Sequence, residues 1–204
     1  MIKIIDYGLG NIRAFANVYD RLNIPISVAR TADDLKDAKK IILPGVGAFD
    51  HAMSELNKSG MRETLEIMAL DRRLPILGIC VGMQIMAHTS DEGTLPGLGW
   101  IDGTVKKFDT FLLNSKIQLP HMGWNTIHPN IGNPLLTNFN NESRFYFLHS
   151  YYFQCNNSND TISTTEYGIE YSSAINNMNI YGVQFHPEKS HQWGIQLLKN
   201  FAEL

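Results

Sequence analysis

Short apolar runs alternate with amphipathic stretches through the first half of the chain. These runs are too short for buried helices and predict buried β-strands, at residues 2–5, 25–29, 40–43 and 74–79. Helices are predicted after Asn11, which is placed to cap the first of them, and over residues 33–38, 50–57 and 61–70. Strands and helices in alternation predict a parallel sheet with helices on both faces.

The second half follows a different pattern. Strands are predicted over residues 99–108, 123–128, 144–153 and 179–185, with few helices between them. We expect most of these to add an antiparallel part to the sheet before a last helix at 193–202. An Asn- and Ser-rich stretch at 156–160 predicts a surface loop. A length of 204 residues suits one domain, so we expect one three-layer α/β domain over 1–204, with a mostly parallel central sheet.

Composition and charge narrow the function classes. The chain is 44% hydrophobic and 18% charged, which suits a packed core rather than a disordered chain. A net charge of -3 without a basic tract gives no reason to expect nucleic acid or a membrane surface as a partner. A strand begins at Ile2, and we find no signal peptide and no apolar run near the ~20 residues that cross a bilayer.

The two cysteines also favour the cytoplasm. They do not form a disulfide framework, and a bridge between Cys80 and Cys155 would disable the reactive thiol proposed below. The seven histidines show no metal-ligand spacing, so we expect no metal and no cofactor.

Cys80 lies between two glycines where a predicted strand meets a predicted helix over residues 82–87. The segment Gly78-Ile79-Cys80-Val81-Gly82 fits the nucleophile elbow, whose glycines permit a sharp turn at the carboxyl end of a sheet. A helix N-terminus behind the sulfur favours thiolate. The alternative is a buried, inert cysteine that ends a core strand.

A base and an acid follow another predicted strand. Pro187 blocks a helix and favours extended backbone at His186, so His186 and Glu188 point to the same side. A carboxylate there can fix the imidazole tautomer, as in a Cys-His-acid triad. The alternative is a solvated His-Pro-Glu turn.

A glycine-rich turn completes the pattern. Pro44-Gly45-Val46-Gly47 follows the third strand and leaves backbone N–H groups for an oxyanion hole, unless it is an ordinary strand-to-helix turn. Gly8-Leu9-Gly10 is similar to a dinucleotide fingerprint, but Arg13 occupies the third glycine position.

These three motifs, with Gln84 after the elbow and Lys189-Ser190 after the acid, resemble the triad (class I) glutamine amidotransferases. The segments Asp6-Tyr7-Gly8-Leu9-Gly10-Asn11 and His121-Met122-Gly123-Trp124-Asn125 are similar to those of the glutaminase subunits that serve histidine biosynthesis. The resemblance covers essentially the whole chain.

The resemblance implies a role for each matching residue. Cys80 would be the nucleophile, His186 the base and Glu188 the acid that holds it. Gly47 and Val81 would supply oxyanion N–H groups, after rotation of the Val46–Gly47 peptide. The glutamine contacts would be Gln84, Gly45 and the backbone of Ser150 and Tyr151.

The resemblance also implies a partner, a (β/α)8-barrel cyclase subunit that receives the ammonia in a heterodimer. Asn11, Trp124 and Lys189 match positions at that interface or its ammonia passage. The sequence by itself favours the alternative, in which Asn11 and Lys189 are surface polar residues and Trp124 packs at a rim.

Two segments depart from the histidine-pathway pattern, residues 191–194 and Asp102. They leave open a related glutaminase that supplies ammonia for amidino-sugars of surface polysaccharides. A third alternative is a catalytically inactive binding module, which an intact Cys80, His186 and Glu188 argue against.

Overall fold

The structure, a computed structural model, describes residues 1–109 and 118–204. The helices are α1 (Ile12–Arg21), α2 (Phe49–Lys58), α3 (Arg62–Glu66), α4 (Val81–Gln84) and α5 (His191–Glu203), and a π-helical turn (Ile67–Asp71) continues α3. The first six strands are β1 (Ile2–Ile5), β2 (Ile26–Ala29), β3 (Lys40–Gly45), β4 (Ile76–Cys80), β5 (Thr89–Ser90) and β6 (Gly103–Lys107). The others are β7 (His121–Thr126), β8 (His128–Pro129), β9 (Arg144–His149), β10 (Tyr151–Cys155), β11 (Thr161–Tyr167), β12 (Ile169–Asn177) and β13 (Ile180–Val183).

A large mixed sheet forms the centre of the molecule. Its strand order is β2-β1-β3-β4-β13-β12-β10-β6-β5, with β11 beside β12 and β8 beside β11. The part from β2 to β13 is parallel, and β12 begins an antiparallel part. The predicted α/β fold class is therefore confirmed.

Right-handed crossovers place helices on opposite faces of this sheet. The connection from β1 to β2 runs outward along the sheet, whereas the connection from β3 to β4 runs the other way. Because parallel crossovers are right-handed, α1 and the helices between β3 and β4 cover opposite faces. Helix α5 packs beside α1, and α4 packs beside α2.

The carboxyl ends of β3, β4 and β13 meet at one edge. Leu43 pairs with Gly78 and Gly45 with Cys80, while Val183 pairs with Ile79. The segments that follow these strands, which carry the three predicted motifs, therefore lie side by side.

Several local predictions were wrong. The helix after the elbow is one turn, α4, rather than the span 82–87, and Asp33–Leu35 is a short 3-10 turn. The Asn11 side chain does not cap α1. Strand 144–153 is broken at Ser150, and β7 and β9 form a separate two-stranded sheet instead of extending the large one.

The hairpin β11–β12 was not predicted, and the loop at 156–160 includes a 3-10 turn, Ser158–Asp160, with Asp160 buried. Buried apolar side chains form one core cluster, which includes Ile4 in β1 and Phe201 in α5. In the part of the chain that the structure describes, no helix has the length and apolar character needed to cross a membrane.

Candidate active site

Cys80 ends β4 in a backbone conformation that L-residues rarely adopt, with φ 55° and ψ -114°. The two flanking glycines are required by close backbone contacts. A Cβ on Gly78 would lie 2.6 Å from the Gly82 carbonyl oxygen, and a Cβ on Gly82 would lie 1.9 Å from the Leu43 oxygen. The sharp turn predicted for the elbow is therefore present, and Cys80 lies at the N-terminus of α4.

His186 and Glu188 form a buried hydrogen-bonded pair after β13. His186 Nδ1 lies 2.9 Å from Glu188 Oε1, and the two side chains are 4% and 2% exposed. His186 has extended backbone, as predicted, with φ -104° and ψ 94°. The sequence predicted that Pro187 blocks a helix, but Pro187 begins a short 3-10 turn, Pro187–Lys189. That part of the reasoning was wrong.

The charges of the site favour a protonated His186. Burial by itself lowers the pKa of His186, but hydrogen bonds to Cys80 and Glu188, together with their charges, raise it to about 10. Glu188 Oε2 has no hydrogen-bond partner within residues 1–109 and 118–204. His186 is therefore the group that offsets the free-energy cost of burying the Glu188 carboxylate.

A cavity of about 310 Å³ opens on Cys80 and His186. Val46, Gly47 and Val81, the residues predicted for the oxyanion hole, line it. The predicted glutamine contacts Gln84, Ser150 and Tyr151 also line it. The structure thus brings together most of the predicted site in one concave space.

Gly47 and Gly45 occupy different places. Gly47 has φ 88°, which favours glycine, and faces the cavity beside the exposed Val46. Gly45 does not line the cavity; a Cβ there would lie 2.4 Å from the Gly82 nitrogen. Gly45 therefore allows β3 to approach the elbow, and the glutamine contact that the resemblance implied for it stays a prediction.

A second glutamine, Gln184, was missed. Gln84 Nε2 donates to the Tyr151 carbonyl at 3.1 Å and to Gln184 Oε1 at 3.0 Å. Gln184 is fully buried, and its Nε2 lies 3.8 Å from Cys80 Sγ. Its position two residues before His186 is a signal in the sequence, because such residues share one side of extended backbone.

Three other cavity residues were also missed as site residues: Glu92, Pro120 and Leu148. His149 lines the cavity too, and the resemblance had implied only that the backbone of the segment His149-Ser150-Tyr151 helps to hold glutamine. Glu92 Oε2 accepts the first N–H of α2, from Phe49, at 2.9 Å. Within the described ranges, no cluster of three or more His, Cys, Asp or Glu side chains is arranged to hold a metal ion.

The three predicted interface residues lie around the cavity rim and the outer surface beside it. Lys189 lines the cavity, with Nζ 5.7 Å from the centre of the Tyr146 ring. Trp124 is 39% exposed and stacks on His191, with ring centroids 5.2 Å apart and an interplanar angle of 3°. Asn11 is exposed at the start of α1, which packs against the turn Pro187–Lys189.

Comparison with known proteins identifies the family. The family model for glutamine amidotransferase class-I matches residues 3–204. The chain belongs to the class-I glutamine amidotransferases. Two similar relatives of this class-I chain are imidazole glycerol phosphate synthase subunit HisH of Bdellovibrio bacteriovorus, 58% identical, and that of Leptospira interrogans, 50% identical. Each alignment covers 100% of both chains.

A further relative, imidazole glycerol phosphate synthase subunit HisH 2 of Pseudomonas aeruginosa, is 43% identical over 100% of both chains. Solved structures support the class-I fold. A crystal structure of a glutamine amidotransferase has a TM-score of 0.76 at 14% identity and covers 100% of this chain and 99% of its own. A structure of PurLQS from Thermotoga maritima has a TM-score of 0.74 at 17% identity, with 99% and 97% covered.

Proposed function

We propose that this chain hydrolyses glutamine with Cys80, His186 and Glu188 and delivers the ammonia to a (β/α)8-barrel cyclase subunit. That partner would use it to form imidazole glycerol phosphate and aminoimidazole carboxamide ribonucleotide in histidine biosynthesis. The observation that carries the proposal is Cys80 on its strained turn, facing one cavity with His186 held by Glu188. The full-length relatives named imidazole glycerol phosphate synthase subunit HisH support the pathway.

The reaction follows from these groups. The Cys80 thiolate attacks the side-chain amide carbon of glutamine, and the His186 imidazolium gives its proton to the leaving nitrogen, which departs as ammonia. His186 then takes a proton from water, which attacks the γ-glutamyl thioester and releases glutamate and the thiolate. Glu188 holds the imidazole orientation throughout.

Backbone N–H groups stabilise the tetrahedral intermediates in this proposal. Val81 is the first residue of α4, where N–H groups have no acceptor within the helix. A rotation of the Val46–Gly47 peptide turns a second N–H toward the same oxygen. Loss of one such donor costs about 3 kcal/mol of transition-state stabilisation. Gln84 and the Ser150–Tyr151 backbone hold the glutamine.

The partner surface in this proposal includes Lys189, Trp124 and Asn11. Lys189 lines the cavity and lies over the half-buried Tyr146 ring, which contacts the exposed Trp124. Direct transfer through this surface keeps ammonia from being protonated in water.

Substitution of Cys80 by alanine tests the proposal. We expect Cys80→Ala to abolish glutamine turnover while binding of the cyclase subunit, measured by calorimetry, is unchanged. Cys155→Ala is the matched control, because Cys155 is the other free cysteine and lies in β10 outside the cavity lining. Turnover retained by Cys80→Ala would refute the triad.

Complementation separates the two pathways. A histidine auxotroph that lacks this subunit should grow when the chain is co-expressed with its native barrel subunit. Glutaminase activity without growth would favour the amidino-sugar pathway, and a chain without any turnover would favour a binding module.

A further inference from the structure

A buried chain of hydrogen bonds ends at the cavity wall. Asn125 Nδ2 lies 3.3 Å from His121 Nε2, and His121 Nδ1 lies 3.1 Å from the Tyr171 hydroxyl. The same hydroxyl lies 3.1 Å from His149 Nε2, and His149 Nδ1 lies 2.8 Å from the Tyr151 carbonyl oxygen. These distances join β7 and β12 to the wall of the glutamine site.

The last acceptor fixes the direction of every bond in this chain. A carbonyl oxygen only accepts, so His149 carries its proton on Nδ1. Nε2 of the neutral ring then accepts from Tyr171, whose oxygen in turn accepts from His121 Nδ1. Burial lowers the pKa of His149 to about 3 and that of His121 to about 4, so both rings are neutral at physiological pH. Each ring therefore has one tautomer that satisfies its neighbours.

The Tyr151 carbonyl lies at a break between two strands. Strand β9 ends at His149 and β10 begins at Tyr151, so Ser150 forms the bend, and all three residues line the cavity. Two donors hold this carbonyl, His149 Nδ1 at 2.8 Å and Gln84 Nε2 at 3.1 Å. Gln84 belongs to α4, the turn of helix that follows Cys80. The carbonyl is thus tied both to the nucleophile segment and to the buried histidine chain.

The side chains that form this histidine chain, the series of hydrogen bonds from Asn125 to the Tyr151 carbonyl, are tightly packed and have little room to rearrange. The His121 ring lies between Tyr167 and Phe147, with centroid distances of 3.8 and 4.7 Å and interplanar angles of 14° and 12°. Tyr171 is 3% exposed and His149 is 6% exposed. The hydrogen-bond partners of an ordinary core histidine would lie away from the site. His149 instead donates its Nδ1–H to a backbone carbonyl of the cavity wall.

We propose that His149 is a positioning residue of the glutamine site, which fixes the Ser150–Tyr151 backbone through its Nδ1–H in a tautomer set by Tyr171. This inference rests on the proposed function, because it takes that backbone as the surface that holds glutamine. His149 does not touch the reacting atoms in this role.

Two reagents separate recognition of glutamine from reactivity of the thiol. Acivicin, an electrophilic glutamine analogue, must occupy the glutamine site before it alkylates the nucleophile, whereas iodoacetamide needs only an accessible thiolate. Second-order inactivation rates are measured for both on the full chain in complex with its cyclase subunit. His149→Leu removes the donor, and His149→Asn is the matched variant that keeps an N–H near the Nδ1 position.

We expect His149→Leu to slow inactivation by acivicin at least about 10-fold, as loss of one buried hydrogen bond predicts, and to change the iodoacetamide rate by less than about 2-fold. His149→Asn should recover the acivicin rate to within about 3-fold of the unsubstituted chain. Equal acivicin rates in all three proteins would overturn the proposal, and so would a parallel loss with both reagents.

Two further measurements keep the test decisive. If His149→Leu does not fold, as judged by circular dichroism, Tyr171→Phe replaces it; that variant removes the tautomer lock and should slow acivicin selectively, and an unchanged rate overturns the proposal. Peptide mapping identifies the alkylated residue. Labelling elsewhere than Cys80 would refute the proposed triad, whereas labelling of Cys80 at equal rates would refute only the role of His149.

Discussion

The conformation of Cys80 predicts an unusual order of stability between two substitutions. At φ 55° and ψ -114°, any side chain on this residue is strained, and glycine is the residue that relieves the strain. We therefore expect Cys80→Gly to be at least as stable as Cys80→Ala. Both variants lose the thiol, so the comparison isolates the backbone.

Two opposing effects set the magnitude. A non-glycine residue in such a region costs about 1–3 kcal/mol, which Cys80→Gly recovers. Glycine also loses more backbone freedom on folding, and this costs about 0.5–1 kcal/mol relative to alanine. The difference places Cys80→Gly about 0–2.5 kcal/mol above Cys80→Ala in free energy of unfolding.

Urea unfolding of both variants, followed by circular dichroism, measures this difference. Cys155 supplies the control, because it lies in β10 and is not among the residues with positive φ. There, Cys155→Gly should be less stable than Cys155→Ala by about 0.5–1 kcal/mol. If Cys80→Gly falls below Cys80→Ala by the same margin as at Cys155, the turn stores no strain and our reasoning is wrong.

Two other predictions concern the triad acid and the buried histidines. Glu188→Gln should lower kcat for glutamine by about 10²-fold or more with little change in KM, because His186 loses its anionic partner at 2.9 Å; steady-state kinetics that stay within a few-fold of the parent would contradict this. Because the pKa of His149 is lowered to about 3 in the folded chain, the unfolded chain binds more protons below about pH 6.5, and stability falls as the pH drops. From pH 8 to pH 5 this histidine should cost about 2 kcal/mol, measured as the extra loss in urea unfolding of the parent over His149→Asn; equal losses in the two proteins would exclude it.

The arrangement of Cys80, His186 and Glu188 around one cavity could be predicted from the sequence because these residues lie at the ends of two neighbouring strands, β4 and β13. Gly78 and Gly82 flank Cys80 directly, and His186 and Glu188 are two residues apart, so short-range spacing carries the geometry. The parallel strands were predictable for a related reason, since β1, β3 and β4 are buried apolar runs.

The hairpin β11–β12 was not predictable in the same way, because polar residues occupy several of its buried positions. Ser163 and Thr165 are fully buried in β11, and their partners come from other strands. The Ser173 hydroxyl donates to Ser163 at 3.1 Å, and the Thr165 hydroxyl donates to the Thr126 carbonyl at 3.0 Å. The alternation of hydrophobic and polar residues is a weak signal for a strand whose buried positions hold hydroxyl groups, because these form hydrogen bonds with other hydroxyls or with the backbone in the interior.

The other features that the sequence did not predict depend on contacts between residues far apart along the chain. Gln84 and Gln184 are 100 residues apart and meet only because β4 and β13 are neighbours. His149 and Tyr171 likewise come from β9 and β12, and nothing in their spacing indicates a hydrogen bond.

The fixed direction of the histidine chain has a consequence for proton movement. Conduction along hydrogen bonds requires each link to pass a proton and then reverse, and the final acceptor here is the amide carbonyl of Tyr151, which has no proton to hand on. The series of hydrogen bonds that runs from the Asn125 side chain to the Tyr151 carbonyl therefore does not conduct protons to the cavity wall. In the proposed reaction, His186 has already given its proton to the leaving nitrogen, and the ammonia receives no further proton along this route. This helps the ammonia to leave as the uncharged nucleophile that an acceptor enzyme needs.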